Sequence, residues 1–154
     1  MLANMNPDGP AERVLETLSD GECLRLMASV PVGRIVYTVR AMPAVEPVNF
    51  VLHNGQVLFR TEAGSKLAAA VSNSVVAFQA DELDYVTHTG WSVTIVGTAQ
   101  EVSDPAEMTR LQEAGLVTWA PGGRKHFVRI KPGVITGRRL RDVGRASHQP
   151  KTVR

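Results

Sequence analysis

Apolar and polar residues alternate along "PVNFVLHNGQVLFRT", residues 47–61, on both sides of an Asn54-Gly55 pair. Alternation with a period of two is typical of a half-buried strand, and Asn-Gly between two such runs strongly indicates a two-residue hairpin turn. Such a turn fixes the register, so the pattern predicts that Phe50 faces Phe59 and that Asn49 faces Arg60. The more continuous apolar face, which we expect to line the core, carries Val48, Phe50, Leu52, Val57, Phe59 and Thr61.

The rest of the chain predicts four more strands and three helices. The strands fall at residues 33–39, 74–80, 90–102 and 126–137, and Gly97 within the third of them indicates a bulge or bend. Ser19 and Glu22 have the spacing of a capping box before an amphipathic helix. Residues 65–71 are alanine-rich, and Asp104-Pro105 begins a helix to about Gly115. Hairpin-linked strands predict a mainly β fold, a six-stranded antiparallel barrel with short flanking helices, rather than a Rossmann sheet.

A chain of 154 residues fits one domain. We expect a loose N-terminal lead-in at residues 1–17, the barrel domain at 18–137 and a basic C-terminal tail at 138–154. Residues 1–120 carry 7 basic and 14 acidic side chains, whereas residues 121–154 carry 10 basic side chains and only Asp142. This basic arm is a candidate for binding nucleic acid or an anionic ligand. It lacks interleaved aromatic residues, which favours a solvated tail and argues against nucleic acid.

Cysteine and histidine usage favours a cytoplasmic protein without a metal. Cys23 is the only cysteine, so no internal disulfide forms, and its place on an apolar helix face predicts packing rather than catalysis. The four histidines are scattered and show no metal-ligand spacing. The chain shows no leader-like segment and no apolar run long enough to cross a membrane.

Hydrogen-bond donors are concentrated in "FRTEAGSK", residues 59–66, where a strand gives way to a short helix. The forked guanidinium of Arg60, the hydroxyls of Thr61 and Ser65, and the ammonium of Lys66 together suit a phosphate group. The alternative is an ordinary helix start with solvated cations. The spacing of a Walker loop is missing.

Three blocks in order, "PVNFVLHNGQVLFRTEAGSK", "VVAFQAD" and "GWSVTIVGTAQEV", resemble the pyridoxamine 5′-phosphate oxidase-like split barrels, which bind flavin mononucleotide (FMN). The resemblance is strongest to the small branch that includes nitroimidazole-resistance-type proteins. It implies a homodimer with two FMN sites at the dimer interface. Residues that fall on the family's cofactor contacts are Arg60 and Thr61 (phosphate and ribityl chain), Ser65 and Lys66 (phosphate), Val48, Asn49 and Phe50 (ring-lining strand), and Trp91 and Ser92 (ring side).

The resemblance implies an FMN-dependent oxidoreductase that acts on an unknown small molecule, with a nicotinamide nucleotide as a candidate electron donor. True pyridoxamine phosphate oxidases carry an Arg-x-His-Asp-Arg-type segment near the C-terminus, and "IKPGVITGRRLRD" lacks it. We therefore expect a different substrate. Two alternatives stay open: a deazaflavin-dependent reductase on the same fold, and a non-catalytic flavin- or ligand-binding protein. No side chain is assigned as an acid or base, since the cofactor itself carries hydride chemistry.

Overall fold

A computed structural model describes residues 12–62, 65–117, 119 and 126–143 of the chain. Seven strands lie within these residues: β1 (Arg13–Thr17), β2 (Val32–Val39), β3 (Met42–His53), β4 (Gln56–Thr61), β5 (Val75–Asp84), β6 (Thr89–Val102) and β7 (His126–Asp142). The helices in the same residues are α1 (Asp20–Met27), α2 (Lys66–Val71) and α3 (Pro105–Gln112).

The strands form one antiparallel sheet that closes on itself. Their order is β1-β7-β4-β3-β2-β5-β6, and a further pairing of β7 with β6 joins six of them into a ring. The predicted mainly β, six-stranded antiparallel barrel is thereby confirmed. β1 lies outside the ring and pairs with the end of β7.

The predicted hairpin around Asn54-Gly55 is confirmed. Both residues have positive φ angles, 51° and 72°, as a two-residue turn of this kind requires. The register also agrees, with Phe50 opposite Phe59 and His53 opposite Gln56. β3 begins at Met42, five residues before the predicted start, because a second tight turn at Arg40-Ala41 joins it to β2. The first half of β3 pairs with β2 alone and carries Pro43 and Pro47. Proline lacks an N–H, and it is tolerated here because the other edge of this half of β3 has no paired strand among the described residues.

The predicted lead-in and tail are wrong where they meet the barrel. β1 covers residues 13–17 and pairs with residues 138–142 of β7, from Arg13 opposite Asp142 to Thr17 opposite Arg138. Hydrophobic periodicity does not reveal this strand pair, because charged side chains link it. Arg13 lies 3.5 Å from Asp142, and Glu16 accepts hydrogen bonds from Arg139 and Arg141. Residues 1–11 and 144–154, the rest of the predicted lead-in and tail, lie outside the described residues.

The hydrophobic core has two parts. The larger part fills the barrel and includes the predicted apolar face of the hairpin, with Cys23 and Met27 of α1 fully buried beside it. The smaller part lies outside the barrel wall, where Leu58, Val102, Leu111, Leu116 and Phe127 pack beneath α3. Gly97 marks a register shift between β6 and β7, which confirms the predicted bulge.

The helix starts follow their predicted caps. Ser19 and Glu22 form the capping box of α1, and the Asp104 carboxylate accepts the N–H of Ala106 at the start of α3 (3.1 Å). α3 ends at Gln112, three residues earlier than predicted. No helix in the described part of the chain is both long and apolar enough to cross a membrane.

Candidate functional site

Arg60 and Thr61 end β4, and each carries a buried donor that no described residue accepts. Thr61 is only 3% exposed, and its Oγ1 has no hydrogen-bond partner among the residues that the structure describes; the same holds for the buried Nε of Arg60. The Arg60 guanidinium lies 4.6 Å from the centre of the Phe127 ring. Native proteins rarely leave buried polar groups unpaired, because each one costs about 1–3 kcal/mol. Each of these donors lacks an acceptor among the described residues, which is the arrangement expected where a ligand supplies one.

Ser65 lies close behind these residues. Its N–H donates to the carbonyl oxygen of Glu62 (3.2 Å), which folds the chain back immediately after β4. Its Oγ caps α2 by accepting the N–H of Ala68 (3.1 Å), so the hydroxyl hydrogen remains available to donate. Lys66 is the first residue of α2. The predicted helix start is confirmed, and Ser65 follows the end of β4 four residues after Thr61.

Val48, Asn49 and Phe50 belong to β3, the strand beside β4. Val48 and Phe50 are buried in the barrel, and Phe50 pairs directly with Phe59. The predicted pairing of Asn49 with Arg60 is wrong. At this point β3 changes its neighbour from β4 to β2, so that Asn49 lies opposite Val32.

The Asn49 side chain instead joins three segments of the chain. Its Oδ1 accepts the backbone N–H of Trp119 (2.8 Å), and its Nδ2 donates to the carbonyl oxygen of Pro31 (3.5 Å). A cleft of about 470 Å³ lies beside this junction, between the end of α1, residues 50–52 of β3 and the segment after α3. The sequence carried no signal for Trp119, because a single aromatic residue in an irregular segment has no periodicity to interpret.

Trp91 and Ser92 lie on β6, which is two strands from β4 in the ring. Trp91 pairs with Arg139 and Ser92 with Arg138, whereas Arg60 pairs with Phe127 at the other end of β7. Phe127 and Arg139 are twelve positions apart, at most about 40 Å along the path of an extended strand. Trp91 and Ser92 are thus offset along β7 from Arg60 and Thr61.

Tyr37 is a buried titratable group of the same barrel, and its hydroxyl donates to Glu46 Oε1 (2.7 Å). Burial, together with this bond to a carboxylate, raises the pKa of Tyr37 to about 12. The phenol thus stays protonated at neutral pH, which suits a structural hydrogen bond better than acid–base chemistry.

The closed ring of six antiparallel strands with short helices defines a split-barrel protein. The family model described as "Pyridoxamine 5′-phosphate oxidase" matches residues 19–139. The chain therefore belongs to the pyridoxamine 5′-phosphate oxidase-like split-barrel family, as the resemblance implied.

Individual relatives agree with this family. The chain is 42% identical over 135 residues to the uncharacterized protein Rv0080 of Mycobacterium tuberculosis, covering 84% of this chain and 88% of that one. The structure of the FAD binding protein from Mycobacterium smegmatis is 45% identical, with a TM-score of 0.71, covering 82% of this chain and 100% of that one. A putative 5-nitroimidazole antibiotic resistance protein from Bacteroides thetaiotaomicron shares the fold at 13% identity and a TM-score of 0.65, over 84% and 89% of the two chains.

Proposed function

We propose that this protein binds a flavin nucleotide and acts as a flavin-dependent oxidoreductase on a small molecule. The observation that carries the proposal is the pair of buried, unused donors at the end of β4, Arg60 Nε and Thr61 Oγ1. A phosphate oxygen accepts from both kinds of donor, and charge-assisted bonds from a guanidinium are among the strongest in proteins. When bound, the flavin supplies the hydride and electron chemistry, and the protein orients it.

The flavin itself is a phosphorylated riboflavin in each candidate form. The family resemblance implies FMN, whereas the Mycobacterium smegmatis relative is called an FAD binding protein. Both carry the phosphate that Arg60, Thr61 and Ser65 would hold, and we include FAD in the proposal for this reason. A deazaflavin cofactor also carries a phosphate and remains the alternative. The missing Arg-x-His-Asp-Arg-type segment supports a substrate other than pyridoxamine 5′-phosphate.

We further propose a homodimer in which each flavin contacts both protomers. The family resemblance implies this arrangement, and the offset of Ser92 from Arg60 along β7 is compatible with it. Light scattering of the purified protein should give the mass of a dimer. Mixing Arg60→Ala protein with Trp91→Ala protein should restore flavin binding, since each mixed dimer regains one of its two sites. A monomer that binds flavin with full affinity would overturn this arrangement.

Titration of the purified protein with FMN, FAD and deazaflavin, followed by absorbance and fluorescence, tests the cofactor. The double variant Arg60→Ala/Lys66→Ala should weaken binding by several kcal/mol, since charged hydrogen bonds contribute about 1.5–3 kcal/mol each. The control Arg110→Ala/Lys131→Ala removes the same charge from α3 and β7 and should bind normally. Unchanged flavin affinity in the folded double variant would refute the site.

Catalysis requires a separate assay. The flavin-loaded protein should oxidise a nicotinamide nucleotide and pass the electrons to a nitro-compound acceptor. A flavin-loaded protein that turns over neither donor nor acceptor would favour the non-catalytic binding protein. A colourless protein that binds only deazaflavin would favour the deazaflavin-dependent reductase.

A further inference from the structure

We propose that the cleft beside Trp119 is a purine subsite that holds the adenine of a flavin dinucleotide. This inference rests on the proposed flavin function and extends it to the second nucleotide of FAD. The cleft has a volume of about 470 Å³, within the range of about 300–1,000 Å³ that is usual for small-molecule sites. The residues that line it include Val30, Val117 and Phe50.

Trp119 offers an open aromatic face at this cleft. It lines the cleft and yet is 69% exposed, so most of its surface is uncovered by the described residues. A single exposed aromatic residue is unremarkable by itself. Here, however, the backbone N–H of Trp119 donates to the Asn49 carboxamide across 70 positions of the chain, which anchors the backbone of Trp119 to β3. An exposed indole on an anchored backbone beside an open cleft is suited to stacking on a planar base.

One polar side chain that can recognise a purine edge belongs to a residue that lines the cleft. Ser29 lines the cleft, and its hydroxyl donates to the carbonyl oxygen of Leu26 (2.6 Å). Its oxygen keeps the capacity to accept a hydrogen bond, as from an exocyclic amino group. The cleft thus combines a stacking surface with an acceptor at its edge.

The cleft and the proposed phosphate-binding residues are linked through the pairing of β3 with β4. Phe50 lines the cleft and pairs directly with Phe59, the residue before Arg60. Asn49, which holds Trp119, precedes Phe50. A dinucleotide whose first phosphate lies at Arg60 would therefore extend its second half toward Trp119, whereas FMN would end before reaching it.

Comparison of FAD, FMN and AMP affinities separates the purine subsite from the flavin site. Trp119→Ala should weaken FAD binding about tenfold or more, because base–aromatic stacking contributes about 1–3 kcal/mol and about 1.4 kcal/mol is tenfold. FMN affinity should stay within about twofold, and Trp119→Phe should retain most FAD affinity. AMP alone should quench Trp119 fluorescence and compete with FAD. Met42→Ala, at an equally exposed residue on β3, is the matched control and should change none of these values.

The outcomes distinguish the two proposals. Equal weakening of FAD and FMN by Trp119→Ala, or no weakening of either, would overturn the purine subsite and leave the flavin function standing. The subsite would also be refuted if AMP failed to bind or displaced FMN as well as FAD. If the wild-type protein bound AMP at Trp119 but no flavin, the purine site would stand and the proposed flavin function would fall.

Discussion

The two ends of β7 use arginine in different ways. At the C-terminal end, Arg139 and Arg141 both donate to Glu16, and Arg13 lies beside Asp142. At the N-terminal end, Arg60 stacks on Phe127, and its Nε finds no partner within the described part of the chain.

This difference separates a structural use of arginine from a ligand-binding use. The arginines beside β1 are satisfied by carboxylates of the same sheet and attach an outer strand to the barrel. Arg60 packs on an aromatic ring and retains a buried donor without a partner among the described residues. An unpaired buried donor costs stability unless a ligand accepts its hydrogen bond. The contrast supports the proposal that Arg60, rather than the arginines beside β1, binds an anion.

The largest effect is expected from Arg60→Met, which keeps much of the apolar stem and removes the donors. Flavin affinity should fall about ten- to hundredfold, which corresponds to about 1.5–3 kcal/mol for a hydrogen bond to a charged group. Isothermal titration with FMN and FAD measures the change. Arg141→Met removes an arginine whose carboxylate partner is known, and it should leave flavin affinity unchanged. Equal losses in both variants would indicate a general charge effect and remove the contrast between the two ends.

Thr61→Val tests the second unused donor at nearly constant volume. Flavin affinity should fall by about 1.5 kcal/mol, about tenfold, because the hydroxyl would no longer donate to phosphate. The flavin-free protein should nevertheless be as stable as the wild type or more stable by up to about 1 kcal/mol, since a buried unpaired hydroxyl is removed. Urea unfolding without flavin measures this second value. Thr98→Val, at an exposed position on β6, is the control. A clear loss of stability in flavin-free Thr61→Val would mean that the hydroxyl has a structural partner.

Tyr37→Phe gives the opposite case, a buried hydroxyl that already has a partner. Removing it leaves Glu46 without its donor and should lower the free energy of unfolding by about 1 kcal/mol, with no effect on flavin affinity. Tyr85→Phe is the matched control, because Tyr85 is 83% exposed and its hydroxyl faces solvent. Indistinguishable unfolding curves for the two variants would show that the Tyr37–Glu46 bond contributes no stability.

The sequence predicted those parts of the fold that local chemistry determines. The Asn54-Gly55 turn, the capping box at Ser19 and the bulge at Gly97 each depend on a few neighbouring residues, and all three are confirmed. The apolar face of the hairpin was predicted for the same reason, since a two-residue turn sets the register of both strands.

The features that the sequence did not predict depend on distant partners. β1 is a strand because its charges meet those of residues 138–142, and no hydrophobic periodicity marks it. Asn49 does not pair with Arg60, because β3 changes its pairing partner between Asn49 and Phe50. A hairpin pattern in the sequence does not reveal this change. The bond from Trp119 to Asn49 spans 70 positions, beyond the reach of any local motif.

The smallest effect is expected from Glu16→Gln at the structural end of β7. The hydrogen bond from Arg141, and then that from Arg139, lowers the pKa of Glu16 below its ordinary value of 4.5. A carboxyl group with a lowered folded-state pKa stabilises the fold above its unfolded pKa, and this contribution is lost as the pH falls through the folded-state value. Glu16→Gln should therefore lower stability slightly at pH 7, and the gap from the wild type should close on acidification below about pH 4.

Urea unfolding at pH 7 and at pH 3, each in low and high salt, tests this last prediction. Exposed ion pairs contribute little and are screened by salt, so the pH 7 difference should shrink as salt rises. Flavin affinity should be unaffected, because Glu16 serves the attachment of β1 and not the anion-binding end. A Glu16→Gln variant that lost flavin along with stability would show that the two ends of β7 are coupled, and arginine pairing at one end would then be part of the binding site at the other.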